Sequence, residues 1–212
     1  MRTQSIKRKY EKYIMNYHEI KKEQWAEYYK RTEFVTNTDV GYIMGQHQLE
    51  IPENKLVLDI GVGYGNFVKT LSKSNTMIGV DVSLESLENV KSDCKSVRLS
   101  DDISKIEPVD LAVCNLVLQH NHEYEVTRII NDVNLKDAGV FSFQFATLNP
   151  DKSKLTPLII GDINKSMLYF YSPDKMRFIV ERTNKKIIKE VGPIWFGDPF
   201  NFDWYIFHVT NK

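Results

Sequence analysis

The sequence has few of the features that mark several classes of protein. Its two cysteines, Cys94 and Cys114, form no C-x-x-C pair, so we expect neither a disulfide framework nor a zinc site. Lysine plus arginine equals aspartate plus glutamate, 28 of each, which argues against a protein that holds nucleic acid mainly through its phosphates. No apolar run reaches the roughly 18 residues that a membrane span needs. Residues 1–13 are basic and polar with no apolar signal-peptide core, so we expect a cytoplasmic protein.

The first fifty residues differ in pattern from the remainder of the chain. Aromatic side chains recur there at helical spacing, as at Tyr10, Tyr13 and Tyr17. We therefore predict an N-terminal helical cap over residues 1–50 and a single larger domain over residues 51–212. Two interpretations of the tyrosines stay open, namely a stripe packed against the domain and a lid over a ligand.

The larger domain alternates between short apolar runs and patterns of helical period. The apolar runs predict strands at residues 56–60, 77–82, 96–99, 111–116, 140–145, 186–189 and 204–209. Helices are predicted over residues 66–73, after an N-cap at Ser83, over residues 126–133, and after an N-cap and N1 pair at Ser172 and Pro173. This alternation predicts an α/β fold with a mostly parallel, seven-stranded sheet and helices on both faces.

A glycine-rich turn separates the first predicted strand from its helix. Gly61, Gly63 and Gly65 have the spacing G-x-G-x-G, and Asp59 stands two residues before the first glycine. A P-loop would need a lysine that meets phosphates, and a dinucleotide site would have G-x-G-x-x-G around a pyrophosphate, which a carboxylate repels. The turn therefore favours a ligand with an ammonium group and no phosphates.

Acidic residues also end the next two predicted strands. Asp81 lies 22 positions after Asp59, and an acid at the end of a second strand accepts hydrogen bonds from the ribose hydroxyls of an adenosine. After the third strand, Asp101 or Asp102 can accept from an adenine amino group, while the backbone N–H of Ile103 faces the ring. Ligands bind outside the carboxyl ends of parallel strands, so these groups should line one cleft.

Together these segments resemble the successive motifs of class I S-adenosylmethionine-dependent methyltransferases. The resemblance is carried by residues 57–65, 78–81, 101–102 and 110–120, and it covers about residues 55–145. It implies a single Rossmann-like domain whose last strand is antiparallel, with S-adenosylmethionine as cofactor and S-adenosylhomocysteine as product.

The same resemblance implies a set of cofactor-binding residues at the ends of the first four strands. The three glycines would line the methionine part, Asp59 would meet its ammonium group through a water or a backbone group, and Asp81 would hold the ribose. The full set is Asp59, Gly61, Gly63, Gly65, Asp81, Val82, Asp101, Asp102, Ile103 and Asn115. Which of the two neighbouring acids, Asp101 or Asp102, meets the adenine stays open.

Methyl transfer needs a base only when the acceptor must lose a proton, as a hydroxyl must. His120 follows the fourth predicted strand, and the ordinary pKa of histidine, near 6.5, suits proton abstraction near neutrality, so His120 is the candidate catalytic residue. The alternative is a turn residue before a helix N-cap at Asn121. His122 is expected to point outward, and no third ligand of recognisable spacing accompanies the two histidines, so no metal site is expected.

Two insertions, residues 149–171 and 191–201, are expected to form the acceptor side. The second contains Trp195, Phe196 and Phe200, which would stack on a sugar or planar ring or else form a small satellite core. The chain has no [DN]-P-P-[YF] motif after strand four and no Pro-Cys nucleophile, which argues against the methylation of nucleic-acid bases.

The acceptor is therefore expected to be a small molecule. Residues 119–145 with residues 169–173 look similar to methyltransferases of sugar and surface-glycan biosynthesis, which favours a hydroxyl of a glycan precursor. The alternatives are another metabolite (a phosphorylated compound, a quinone precursor, an amine or a carboxylate), a non-catalytic cofactor-binding subunit, and a dinucleotide-dependent oxidoreductase. The sequence leaves the oligomeric state open.

Overall fold

The computed structural model describes residue 23 and residues 40–98, 103–148, 169–194 and 202–212. Its helices are α1 (Val40–Gln46), α2 (Asn66–Leu71), α3 (Leu84–Val90), α4 (Glu123–Asp132) and α5 (Pro173–Glu181). Its strands are β1 (Leu56–Ile60), β2 (Thr76–Asp81), β3 (Lys95–Arg98), β4 (Val109–Cys114), β5 (Leu135–Leu148), β6 (Lys185–Ile194) and β7 (Phe202–Asn211). Short 3-10 helices span Ile103–Lys105 and Leu118–His120. Most of the predicted N-terminal cap lies outside the described residues.

Within the described residues, the strands form one sheet in the order β3-β2-β1-β4-β5-β7-β6. Neighbouring strands from β3 to β5 pair in parallel, and β7 pairs antiparallel with both β5 and β6. Six strands therefore point in one direction and β7 in the other. The predicted α/β architecture with a mostly parallel sheet and an antiparallel last strand is confirmed. The strand order reverses between β1 and β4, where such sheets bind their ligands.

Helices cover both faces of the sheet, as predicted. On one face, α1, α2 and α3 bury side chains such as Met44, Val68 and Val90 against β1, β2 and β4. On the other face, α4 and α5 bury a second set against β4, β5 and β7, including Ile129 and Ile179. Each helix buries one stripe of about 3.6-residue period, and burial of these stripes supplies most of the stabilisation of such short helices.

Helix caps decide where several of these helices begin. The Ser83 hydroxyl accepts from the backbone N–H of Ser86, and the Ser172 hydroxyl accepts from that of Lys175, each at 3.2 Å. Both predicted caps are thereby confirmed, with Pro173 at the first position of α5. The expected N-cap at Asn121 is wrong. The cap of α4 is His122, whose Nδ1 accepts from the backbone N–H of Tyr124 at 3.4 Å, and His122 is exposed as predicted.

Several strands have bounds other than those predicted. β4 ends at Cys114 rather than residue 116, because Leu116 has a positive φ of 58° that takes the chain out of the sheet. β5 begins at Leu135, five residues before the predicted start. β6 runs to Ile194, so the first residues of the predicted 191–201 insertion belong to the sheet. Residues 149–168 and 195–201 lie outside the described residues. No described helix is long and apolar enough to cross a membrane.

Candidate active site

The glycine turn after β1 has backbone that only glycine adopts readily. Gly61, Gly63 and Gly65 have φ values of 84°, 54° and 81°. The turn is tied to β2 by a hydrogen bond of 2.7 Å from the Gly61 N–H to the Val80 carbonyl. A Cβ on Gly61 would overlap the side chain of Val117, which lies in the loop after β4. The glycines therefore let the turn pack closely against β2 and against the loop after β4.

Asp81 joins the end of β2 to the glycine turn. One carboxylate oxygen accepts from the backbone N–H of Gly63 at 3.0 Å, and the other accepts from that of Ser83 at 2.8 Å. Asp81 is 6% exposed, and this burial raises the pKa of its carboxyl group, while the backbone N–H bonds act in the opposite direction. The carboxyl group is thus held in a fixed position between β2 and the glycine turn.

Asp59 is a buried carboxyl group with an unpaired oxygen at this edge of the sheet. It is 3% exposed, and its Oδ2 has no hydrogen-bond partner in the described part of the chain. Burial, and then the negative charge of Asp81, raise the pKa of Asp59 to about 7. Buried polar atoms are nearly always paired, so an unpaired carboxyl oxygen is a position for an external donor. A cationic group bound there would return this carboxyl to its ionised form.

The loop after β4 carries the candidate base. His120 ends the 3-10 helix Leu118–His120 and is half-buried. The turn is closed by the Asn121 side chain, which donates to the Val117 carbonyl at 2.8 Å. Leu116, with its positive φ, is 49% exposed.

Residues 169–171 form a wall beside that loop. The Tyr169 N–H donates to the Gln119 carbonyl at 2.7 Å, and the Tyr171 N–H donates to the Ala146 carbonyl of β5 at 2.9 Å. The Tyr171 hydroxyl donates to the Asn121 carbonyl at 2.6 Å. This part of the predicted 149–171 insertion therefore contacts the loop that carries His120.

A buried histidine that the sequence did not single out also reaches this edge. His47, just after α1, is 0% exposed, and its ring nitrogens lie 2.6 Å from Ser142 Oγ and 3.1 Å from Asn115 Oδ1. Burial lowers the pKa of His47 to about 4; its hydrogen bond to Asn115 raises that pKa and nearby His208 lowers it. No motif surrounds His47, and its partners are 68 and 95 residues away in sequence, so no local pattern could have found it.

The structure brings most of the predicted site residues together. Asp59 lies near the end of β1, Asp81 ends β2, and Val82 follows it. Asn115 follows β4, with His120 in the loop beyond. Ile103 opens a 3-10 helix with its side chain buried in the core, which leaves only its backbone for a ligand. Asp101 and Asp102 lie outside the described residues. No cluster of three or more metal-ligating side chains occurs in the part of the chain that the structure describes.

Comparison with known proteins agrees with this geometry. A family model described as a methyltransferase domain matches residues 58–142, which run from within β1 to within β5. No curated protein matches the sequence significantly.

Solved structures with the same fold cover most of the chain. A protein of Pyrococcus horikoshii OT3 has a TM-score of 0.63 at 16% identity, over 88% of this chain and 99% of that one. A SAM-dependent methyltransferase of Methanosarcina mazei has a TM-score of 0.59 at 17% identity, over 82% of this chain and 99% of that one. Magnesium protoporphyrin IX methyltransferase of Synechocystis PCC 6803, with bound SAH, has a TM-score of 0.58 at 16% identity, over 82% of this chain and 80% of that one.

The fold is the one that these methyltransferase structures share, and the methyltransferase domain predicted from the sequence is confirmed over residues 58–142. The matched domain and the similar structures with bound SAH and SAM support S-adenosylmethionine as the cofactor. The residues present fit that cofactor, because a turn with three positive-φ glycines follows a buried carboxyl group whose Oδ2 lacks a donor in the described residues.

Proposed function

We propose that this protein transfers the methyl group of S-adenosylmethionine to a hydroxyl of a small molecule, with a sugar or surface-glycan precursor as the acceptor class to test first. The observation that carries the proposal is the unpartnered, buried Oδ2 of Asp59 beside the glycine turn and Asp81. The glycan preference comes from the sequence resemblance of residues 119–145 and 169–173, and the fold is shared by methyltransferases of other acceptors.

Residues at the ends of β1 and β2 would hold the cofactor. Asp59 supplies the acceptor oxygen for an ammonium group, the backbone of Gly61, Gly63 and Gly65 lies against the methionine part, and Asp81 supplies oxygens for the ribose. When bound, S-adenosylmethionine supplies a methyl group on an electrophilic sulfonium. The protein contributes alignment of the acceptor and exclusion of water.

His120 would take the proton that a hydroxyl acceptor loses. It lies in the loop after β4, next to the wall formed by residues 169–171. A neutral imidazole can accept this proton, whereas an imidazolium cannot. The base then passes the proton to solvent, since His120 is half-buried rather than enclosed.

We further propose that residues 1–50 form a cap over this edge and that residues 149–171 and 191–201 select the acceptor. Two contacts support this arrangement. His47 connects the end of α1 to Asn115, and Tyr169 and Tyr171 connect the first insertion to the His120 loop.

Calorimetry tests the cofactor proposal directly. The purified protein should bind S-adenosylmethionine and S-adenosylhomocysteine with dissociation constants on the order of micromolar, near −8 kcal/mol, and should not bind NADH. Folded protein that binds neither sulfur compound, or that binds NADH instead, would contradict the proposal. Incubation with labelled cofactor and a panel of sugars, phenols, amines and carboxylates then identifies the acceptor. Transfer only to amines or carboxylates would remove the hydroxyl assignment.

A further inference from the structure

A buried chain of hydrogen bonds runs from the end of α1 to the end of β4. Ser142 Oγ lies 2.6 Å from His47 Nδ1, and His47 Nε2 lies 3.1 Å from Asn115 Oδ1. Ser142 and His47 are both 0% exposed. Two residues on neighbouring strands are thereby joined through a histidine from outside the sheet.

The chemistry of the partners fixes which ring nitrogen of His47 carries the proton. The Oδ1 of Asn115 can only accept, so Nε2 carries the hydrogen and donates it. Nδ1 then holds a lone pair and accepts from the Ser142 hydroxyl. Because burial keeps the imidazole neutral, this one tautomer persists at neutral pH.

The direction of these bonds decides what Asn115 can offer to a ligand. Its carbonyl oxygen already accepts from His47, which fixes the orientation of the amide and leaves the two N–H donors of Nδ2 for a ligand. Asn115 directly follows Cys114, which pairs with Ile60 of β1, so it lies at the strand end next to Asp59. An N–H donor suits a carboxylate, just as the carboxyl group of Asp59 suits an ammonium group. The pair matches the two charged groups of an amino acid.

We propose that His47 is a positioning residue that acts through Asn115, turning the Asn115 N–H groups toward the carboxylate of the methionine part of the cofactor. The proposal rests on the proposed function, because it assigns one contact of the same ligand. It adds a residue from the N-terminal region to a site otherwise built from the sheet.

Two substitutions of similar size separate this role from a general packing role. In His47→Gln, the amide nitrogen occupies nearly the position of Nε2 and can still donate to Asn115. In His47→Asn, the shorter side chain can still meet Ser142 but does not reach Asn115. Circular dichroism and urea unfolding establish that each variant is folded before binding is measured.

The two ligands to compare are S-adenosylhomocysteine, which has the amino-acid part, and 5′-methylthioadenosine, which lacks it. We expect His47→Asn to weaken S-adenosylhomocysteine about tenfold, the lower end of the range for a hydrogen bond to a charged group. His47→Gln should stay within about twofold of the parent, and methylthioadenosine should bind all three proteins equally. In an Asn115→Ala background, His47→Asn should cause no further selective loss.

Two results would overturn the role of His47 while leaving the proposed function intact. One is a parent that binds S-adenosylhomocysteine and a His47→Asn variant that binds it equally well. The other is an equal loss of both ligands, which indicates loosened packing rather than positioning. A folded parent that binds neither ligand instead overturns the proposed function, and the inference with it.

Discussion

Asp110 and Asp59 lie on adjacent strands of the same sheet, one at the amino ends of the strands and the other near their carboxyl ends, and their surroundings differ. Asp110 Oδ2 accepts from Lys136 Nζ at 2.6 Å and from the Leu56 N–H at 2.9 Å, and the hydrogen bond from Lys136 is the main reason that its pKa lies below the ordinary value. Asp59 is buried with one oxygen unpartnered, and its pKa is raised to about 7.

The difference shows which end of the sheet is complete without a ligand. At the amino end, Asp110 lies in an open groove lined by polar residues, and its carboxylate already forms an ion pair with Lys136. At the carboxyl end, the chain keeps a buried carboxyl group that destabilises the fold when ionised, which is expected where a ligand supplies the missing partner. An aspartate therefore stabilises the fold at the amino end, whereas at the carboxyl end an aspartate is unfavourable for the fold until a ligand binds.

The largest expected effect is on turnover, which should depend on a residue at the carboxyl end of the sheet and not on one at the amino end. With a hydroxyl acceptor, His120→Ala should lower turnover by about 10²–10⁴-fold, the usual contribution of general base catalysis, and leave cofactor affinity nearly unchanged. The acid limb of the pH–rate profile should disappear in the variant, because no imidazole remains to be protonated. Lys136→Ala at the amino end is the matched control and should turn over like the parent. Unchanged turnover in His120→Ala would place the base elsewhere.

The second effect concerns Asp59, whose replacement should raise the stability of the protein and weaken its binding of the cofactor. The folded-state pKa of Asp59 is raised to about 7, so the folded protein binds a proton more tightly than the unfolded chain, and stability falls as pH rises from about 4 to 7. Asp59→Asn removes this titration. The variant should be more stable than the parent by about 2–4 kcal/mol at pH 8, with little difference near pH 4.

Urea unfolding at the two pH values measures this difference, and calorimetry at pH 8 gives the other half of the prediction. The same variant should bind S-adenosylhomocysteine more weakly by about 1.5–3 kcal/mol, because the ammonium group loses a charged partner. A variant that is no more stable than the parent at pH 8 would mean that Asp59 is already satisfied in the free protein.

The third effect concerns the other carboxylate at the carboxyl end. Asp81→Ala should weaken the cofactor by about 1.5–3 kcal/mol, the range for hydrogen bonds to a charged group. The variant also loses the acceptor for the Gly63 N–H, so adenosine should weaken together with S-adenosylhomocysteine. Calorimetry with both ligands measures this, and Asp110→Ala serves as the control that should bind normally. Equal binding by Asp81→Ala and the parent would refute the ribose assignment.

The smallest effect is expected at the amino end. Asp110→Asn should destabilise the protein by at most about 1 kcal/mol at pH 7, because its ion pair with half-exposed Lys136 is screened by solvent. The folded-state pKa of Asp110 is lowered, so its contribution is present above pH 4 and is lost as pH falls below that value. High salt should reduce the difference in urea unfolding. A loss of several kcal/mol would mean that the two ends are equally critical to the fold.

Local patterns in the sequence were enough for the elements whose signals are short in range. The helical period at Val126, Ile129 and Ile130, and the caps at Ser83 and Ser172, predicted α4, α3 and α5 because neighbours along one element determine them. The start of β5 was missed because Lys136, Asp137 and Ala138 are exposed, so no apolar run marks the first residues of the strand. A Cβ at Gly139 would lie 2.7 Å from the Val109 carbonyl, so the glycine permits a close backbone approach at a register shift in the strand pair.

The candidate site divides in the same way. Asp59, the glycines and Asp81 follow strand ends in sequence, so strand prediction already placed them at one edge. Whether each carboxylate has hydrogen-bond partners could not be predicted, because this depends on burial and on partners from other strands. His47 was missed for the same reason, as both of its side-chain contacts are long-range.

The hydrogen bond from the Tyr171 N–H to the Ala146 carbonyl has an evolutionary consequence. It means that the chain leaves β5 and returns beside the same strand, so the twenty or so residues in between close a loop whose ends are already fixed. The entropic cost of closing a loop, expressed as free energy, rises slowly with loop length, by about 0.6 kcal/mol for each doubling. Insertions and deletions between Ala146 and Tyr171 should therefore cost the domain little stability, and the segment that we propose selects the acceptor can change while the sheet and the cofactor residues stay the same.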